Sequence, residues 1–436
     1  MQAGVVAGHF RGGRRDEVSY MIDGVPVNDA FGGVSAVSNL EVEAVQDLEV
    51  ITGTFNAEYG NAMSGIVNAV TKDGSNEFHG SFNSGFSTYI TENKRNGDEV
   101  FIGLDPFGIN SNSDLKFSLS GPVIKDRLYF FTNFRTQDVS GHLNGVRRFE
   151  VWNLSNFYDQ DSSKWFSENT GDSSFVPMNK GQYSSFMGKL SYNLGSIKLA
   201  LMLNVNNSTS RGYNHIYKYN PDGRSYGDGT TTLTMFQLNH FLNEKMFYDV
   251  KYSITDNDYG SYVFEDYASY KVLTEDGIHQ GVYHFAGDTI YNYVNDKYMT
   301  AYGTGFFTGG QDKGHLNRIT KTYNFKSDFT WQVTNAHSIK TGFSFISYEL
   351  ENIYHTIRNA FAGTSLESDQ YKPIVLPDST VYSDVYGVKP KERSFYIQDK
   401  FEKDEIVINF GLRYDQFDAN TIYPSQRRNP TNSSTY

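Results

Sequence analysis

The sequence predicts a mostly β protein: a partial transmembrane antiparallel β-barrel, about 11 of ~22 strands, preceded by a small α+β segment. Three observations carry this. Eleven strand-like segments follow one another between Phe78 and Phe417. Their connections alternate strictly between short and long, as in an up-and-down sheet with tight turns at one end and large loops at the other. Within the segments, apolar and polar residues alternate with period 2, which sends one set toward lipid and the other toward a wet lumen.

The first 76 residues form a unit of their own. They are Gly-rich, with short strands expected at 18–27, 45–53 and 65–72. Asp23-Gly24 between Met21-Ile22 and Val25 is a hairpin signal. Gly60 and Gly65 bracket a turn before the strand Ile66–Thr71, and Asp73-Gly74 makes another before the barrel. A small mixed domain placed directly before a barrel reads as a plug that fills the lumen.

Residues 77–436 hold the barrel part. Strands are expected at 77–90, 113–121, 126–138, 183–194, 196–209, 231–242, 245–256, 319–332, 336–350, 391–402 and 405–418. Each is long enough for a tilted strand to cross a bilayer, about 9–11 residues. In IKLALMLNVN, Ile197, Leu199, Leu201, Leu203 and Val205 share one face, and Lys198, Ala200, Met202, Asn204 and Asn206 share the other. The short connections, Gly121–Lys125, Asn193–Ser196, Asn243–Glu244, Val333–Ala336 and Lys403–Asp404, carry turn-forming residues. The long ones, around 91–112, 139–182, 210–230, 257–318 and 351–390, are rich in Tyr, Asn, Gly and Asp and show no obvious core of their own. Loops of that length usually carry function.

Composition narrows the reading further. Mean hydropathy is -0.51, and no apolar run approaches the ~18 residues of a membrane-spanning helix. The 32 Tyr and 33 Phe are numerous enough to build aromatic girdles at two bilayer interfaces. A formal charge of -12 disfavours nucleic acid as a partner. The absence of cysteine removes disulfides and thiolate metal sites. Met1 opens no signal peptide, and bacterial single-chain barrels close with even strand numbers, so the chain is expected to be a fragment. No G-x-S-x-G, H-E-x-x-H or Walker pattern is present, so neither catalysis nor a cofactor is expected. None of the ten histidines pairs at i,i+4, and the acidic stretches 221–229 and 256–260 miss the EF-hand spacing. No metal site is expected.

Four passages carry a family resemblance. HFRGGRRDEVSYMIDGVPVND (9–29) resembles the central plug motif of TonB-dependent outer-membrane receptors, and AEYGNAMSGIVNAVTKDGSNEFHGS (57–81) resembles the end of their plug and the entry to the first barrel strand. GPVIKDRLYFFTNFR (121–135) and SFYIQDKFEKDEIVINFGLRYDQFD (394–418) resemble barrel hairpins of the Oar-like branch, which carries a carboxypeptidase-regulatory-like N-terminal extension. The resemblance implies a 22-stranded barrel in a Gram-negative outer membrane, occluded by a plug. It implies uptake or sensing of an unknown extracellular ligand. It also implies a TonB-type inner-membrane energy complex that pulls on a short N-terminal segment, which is missing here. A passive porin or adhesin-type barrel, and a soluble glycan-binding β protein, are the competing readings.

Site residues follow from the same passages. Arg11, Gly12, Gly13, Arg14 and Arg15 form the plug motif, its arginines expected to pair with lumen carboxylates and hold the plug. Asp23 and Gly24 are expected to serve the hairpin turn. Glu58 and Tyr59, just before the turn at Gly60, are expected to anchor the plug to the barrel wall. In the loop 210–230, Tyr213, Tyr217, Tyr219 and Tyr226 are candidates for a ligand platform, since Tyr offers rigid contact area with a polar tip.

Overall fold

The computed structural model describes residues 17–31, 40–53, 56–60, 64–89, 94–95, 98–104, 112–268, 270–272, 289–300, 305–426 and 429–435. Two sheets organise them.

The smaller sheet lies in the N-terminal unit. Its strands are β1 (Val18–Ile22), β2 (Val25–Pro26), β3 (Val45–Ile51) and β4 (Gly65–Thr71), in the order β2-β1-β4-β3. β1 and β4 run parallel, and β3 runs antiparallel to β4. The Asp23-Gly24 turn joins β1 to β2 with both residues at positive φ, 49° and 77°, the geometry that makes Asp-Gly a preferred hairpin turn. Among the described residues this unit adds a 3-10 turn, Val42–Ala44, and no α-helix.

The larger sheet is the barrel wall. Its strands are β5 (His79–Ser87), β6 (Asn112–Ile124), β7 (Leu128–Val139), β8 (Gly181–Leu194), β9 (Ile197–Ser210), β10 (Tyr226–Asn243), β11 (Met246–Tyr262), β12 (Gly314–Gln332), β13 (His337–Thr356), β14 (Ser383–Val388), β15 (Lys391–Lys403) and β16 (Ile406–Asp418). Apart from β14, each pairs antiparallel with its sequence neighbours. All eleven expected strands are present. The first tight turn moves, however. β6 runs through Gly121 to Ile124, and the chain reverses at Lys125–Arg127, where Asp126 takes φ 62°. β10 to β13 are also longer than expected, 17 to 20 residues, with all but one residue of the excess (Asn243) at their outer ends. Those ends (Gly227, Asp228 and Gly229 opposite Tyr259, Gly260 and Ser261) are polar and Gly-rich. Only the cross-strand ladder identifies them as strand.

The wall is inside out compared with a soluble sheet. In β9, Leu201 and Leu203 are 50% and 39% exposed, whereas Met202, Asn204 and Asn206 are 1%, 1% and 3% exposed. Phe82, Phe134, Phe186, Leu190, Phe236 and Phe395 continue the outward apolar surface around the sheet. An apolar band of this extent needs lipid to cover it. The inward residues face the small sheet, and the two share one core: Tyr20, Ile22, Val25 and Val67 pack with Phe131, Met187, Met202 and Met235 of the wall.

Candidate functional site

The interface between the small sheet and the wall carries most of the buried charge, and the polarity runs one way. Carboxylates stand on the small sheet and its exit, cations on the wall. Asp23 occupies its turn as expected, but its side chain does a second job that local sequence could not show. It accepts hydrogen bonds from Thr71 N at 2.8 Å, Thr71 Oγ1 at 2.6 Å, Gln237 Nε2 at 2.9 Å and Lys189 Nζ at 3.3 Å. Asp73, two residues beyond β4, faces Lys189 at 3.1 Å and Lys198 at 2.5 Å, and accepts from Ser191 Oγ at 2.7 Å. The buried Lys189 therefore ties the front hairpin to the exit strand. Burial alone would raise the Asp73 carboxyl, but the two ammonium groups and Ser191 hold it below its ordinary value of 3.8.

A second cluster lies one strand pair away. Glu41, before the 3-10 turn, meets Arg135 Nη1 with both oxygens at 3.1 Å. The other side of that guanidinium grips Asp114 at 2.8 and 2.9 Å. Lys116 adds weaker pairs to Glu41 at 3.9 Å and Glu43 at 3.7 Å. Burial lifts the Glu41 carboxyl above its ordinary value against the pull of Arg135. Neither Glu41, Lys189 nor Arg135 was singled out from sequence, and Asp73 was read only as a turn residue. Inward-facing cations at alternate strand positions were the available signal.

The expected anchor residues lie on the opposite wall. The Glu58 carboxylate pairs with Lys340 of β13, and Glu58 N donates to Gln398 Oε1 at 3.2 Å. Arg413 of β16 donates to the carbonyls of Ala57 and Glu58 at 3.3 and 3.2 Å. Gly60 lies so close to that guanidinium that any Cβ would collide with it. Tyr59 is half-buried, and burial together with the Glu58 carboxylate pushes its phenol up to about 12. A cavity of about 410 Å³ separates the small sheet from this wall, lined by Met21, Asn28, Lys326, Tyr348, Arg393 and Arg413 among others. Arg11, Gly12, Gly13, Arg14 and Arg15 lie outside the described residues.

The long loops, read from sequence as lacking a core, have one. Val146 N donates to Lys218 O at 2.8 Å, Phe149 N to Tyr219 O at 3.0 Å and Phe307 N to Ile216 O at 2.8 Å, so three loops share backbone hydrogen bonds. Arg147 pairs with Asp222 at 2.5 Å and Asp172 at 3.1 Å. Lys313 is buried between the rings of Tyr293 and Tyr371, 5.3 and 5.1 Å from their centroids, and burial pushes it down to about 8. The four candidate tyrosines do not form one platform. Tyr217 is buried against Phe307, with ring centroids 4.8 Å apart, and is a core residue of this layer. Tyr226 meets Tyr262 edge-on at 5.3 Å. Tyr213, bonded to His215 at 2.8 Å, and Tyr219, edge-on to Phe306 at 4.8 Å, remain half-buried near the surface.

Comparison with known proteins matches this architecture. Residues 4–66 match the TonB-dependent receptor plug domain, and residues 152–431 match an outer membrane beta barrel domain. A TonB-dependent transporter, Oar of Myxococcus xanthus, is 38% identical over 127 residues, 29% of this chain and 12% of the relative. A probable TonB-dependent siderophore receptor, PirA of Acinetobacter baumannii, is 31% identical over 132 residues, 28% of this chain and 16% of the relative. The fold is similar to that of the outer membrane transporter YddB from Escherichia coli, with a TM-score of 0.58 at 14% identity, over 94% of this chain and 50% of YddB. The chain thus spans about half the length of that solved structure. With its plug, its inside-out wall and both family matches, the chain belongs to the TonB-dependent receptors of the Gram-negative outer membrane.

Proposed function

We propose that residues 1–76 are the C-terminal part of the plug and residues 77–436 the N-terminal half of the barrel of an energised importer or sensor of an extracellular ligand. The observation that carries this reading is the ionic seam around Lys189. Asp23 and Asp73 belong to the plug unit and Lys189 to the wall, so the seam crosses a boundary that has to part when the plug moves. Buried ion pairs specify one docked geometry more than they add net stability. That suits a plug that must stay shut at rest and yield to a pull. In this reading Glu58, Tyr59 and Gly60 lock the plug on the far wall, and the arginines of the 11–15 motif add to the lock. Tyr213 and Tyr219 are the loop residues placed to meet a ligand. The partners are outer-membrane lipid, the ligand, and a TonB-type energy complex acting through a segment N-terminal to this chain.

Relatives described as transporters and siderophore receptors support import over catalysis. A passive porin has no use for a plug tied to its wall. The test is uptake by cells expressing the full-length receptor, assayed with labelled ferric siderophores, cobalamin, peptides and oligosaccharides. At least one probe is expected to enter, and its uptake should stop when the inner-membrane energy complex is deleted. Undiminished uptake in that strain, or a large steady conductance of the intact protein in planar bilayers, would overturn the proposal.

A further inference from the structure

β14 is the wall strand that the sequence pattern did not announce, and its register explains it. β14 pairs with β13 from Leu350↔Val388 to His355↔Ser383. β15 pairs with β13 from Ser347↔Lys391 to His337↔Phe401. Both ladders keep one register, so β14 and β15 are a single strand broken only at Lys389 and Pro390. The break has a chemical cause. Tyr348 N donates to the Pro390 carbonyl at 2.9 Å, but proline has no N–H to return the bond. The outer piece thus joins the rest of the strand across a point that lacks one ladder bond. Among the described residues β13 is the strand it pairs with. Its other edge is capped from within its own loop, where Val385 N donates to Asp378 Oδ1 at 3.0 Å.

This piece reaches the plug. Tyr386 stands opposite Asn352 and shares its lumen face. The Tyr386 ring lies 6.5 Å from the ring of Phe31, which follows the plug hairpin. On β12, Arg318 holds its guanidinium 5.1 Å from the Phe31 ring centroid and donates to Asn352 Oδ1 at 2.8 Å. Asn352, only 2% exposed, donates to Asp384 O at 3.0 Å. The plug apex is thus contacted by Tyr386 directly and by Arg318, whose orientation depends on an amide bonded to the same strand.

We propose that residues 383–388 are a proline-hinged flap that reports the state of the outer loops to the plug through Phe31. It rests on the receptor reading above and adds its regulation. Swinging the flap outward removes Tyr386 from Phe31 and takes from Asn352 the carbonyl that fixes it, which frees Arg318 and loosens the plug apex. Anything that binds the loop 357–382 and prefers one flap position shifts the plug in the same step.

The test is hydrogen exchange by mass spectrometry on the full-length receptor in detergent, with no ligand added. Val385 N–H points away from β13, so Ile353 and Val385 form a non-hydrogen-bonded pair with Cα atoms about 4.5 Å apart, within disulfide reach. The chain has no cysteine of its own. Oxidising an I353C/V385C pair is expected to slow exchange in 383–388 and in 27–31 together, and reduction of the same sample should reverse both. Pro390→Ala, which restores the missing donor, should act in the same direction more weakly. Tyr386→Ala should speed exchange in 27–31 by about three- to tenfold and abolish the response of that segment to the disulfide. A disulfide that slows 383–388 while 27–31 stays unchanged overturns the flap. That outcome is separable from failure of the receptor reading, which would show as uptake that ignores the energy complex while these rates behave as described.

Discussion

The plug meets two walls, and they hold it differently. On β6 to β10, apolar contact and charge coincide: Phe131, Met187, Met202 and Met235 pack against the small sheet, while Lys189 and Arg135 each bind two carboxylates within the same patch. On β12 to β16, among the described residues, there is one plug-to-wall ion pair, Glu58 with Lys340, together with the contacts of Arg318 and Tyr386 with the Phe31 ring, backbone contacts from Arg413, and a cavity of about 410 Å³. The contrast teaches that the plug is seated on one side and leans on the other. Ion pairs at the seated side sit in a dry, packed environment where losing one partner strands the other. At the leaning side, solvent is close enough to compensate. Methionine at the seated face also fits a contact that must re-form after sliding, since its side chain adapts to irregular surfaces.

The comparison can be broken most directly at Lys189. Lys189→Met should strand the buried Asp23 carboxylate without a cation, while Asp73 keeps Lys198, at a cost of about 3–5 kcal/mol of plug docking. A fall in the urea concentration that releases the plug from the detergent-held barrel would show it. Arg135→Met should cost less, about 2–3 kcal/mol, because Lys116 remains beside Glu41. The double variant with Glu41→Gln should recover part of that loss in the same titration. Lys340→Met, whose side chain is 29% exposed, should cost only about 1 kcal/mol. An equal loss from Lys340 and Lys189 would erase the distinction between the walls.

The smallest effect is that of pH. Asp73 is held below 3.8 in the docked plug, so its contribution is present above 3.8 and is lost as pH falls through the lowered value. Glu41 is raised above 4.5, so its contribution has the opposite sign, present below 4.5 and lost as pH rises through the raised value. Docking should therefore strengthen slightly on acidification toward pH 4 and weaken below it. Asp73→Asn should flatten the acid limb alone, measured by thermal release of the plug across pH.

Much of this architecture was legible in the letters. Period-2 alternation in residues such as Leu201, Met202 and Leu203 fixes both strand and face, because every second side chain must meet lipid. Asp23-Gly24 announces its own turn through backbone conformation. What sequence could not reach was pairing at a distance. The second role of Asp23 depends on Lys189 and Gln237, more than 160 residues away. β14 was unreadable because Pro390 interrupts the strand and its six residues look like loop. Tyr217 resembled its neighbours Tyr213 and Tyr219 in the sequence, and only Phe307, from another loop, makes it core.

The central claim is that the plug is seated on one wall through Lys189. The most direct measurement is hydrogen exchange of plug peptides in the full-length receptor, comparing Lys189→Met with Lys340→Met. The account predicts faster exchange across 18–27 and 65–73 for Lys189→Met, and a rise confined to 56–60 for Lys340→Met. Matching patterns in the two variants, or no change across 65–73 when Lys189 is replaced, would contradict it.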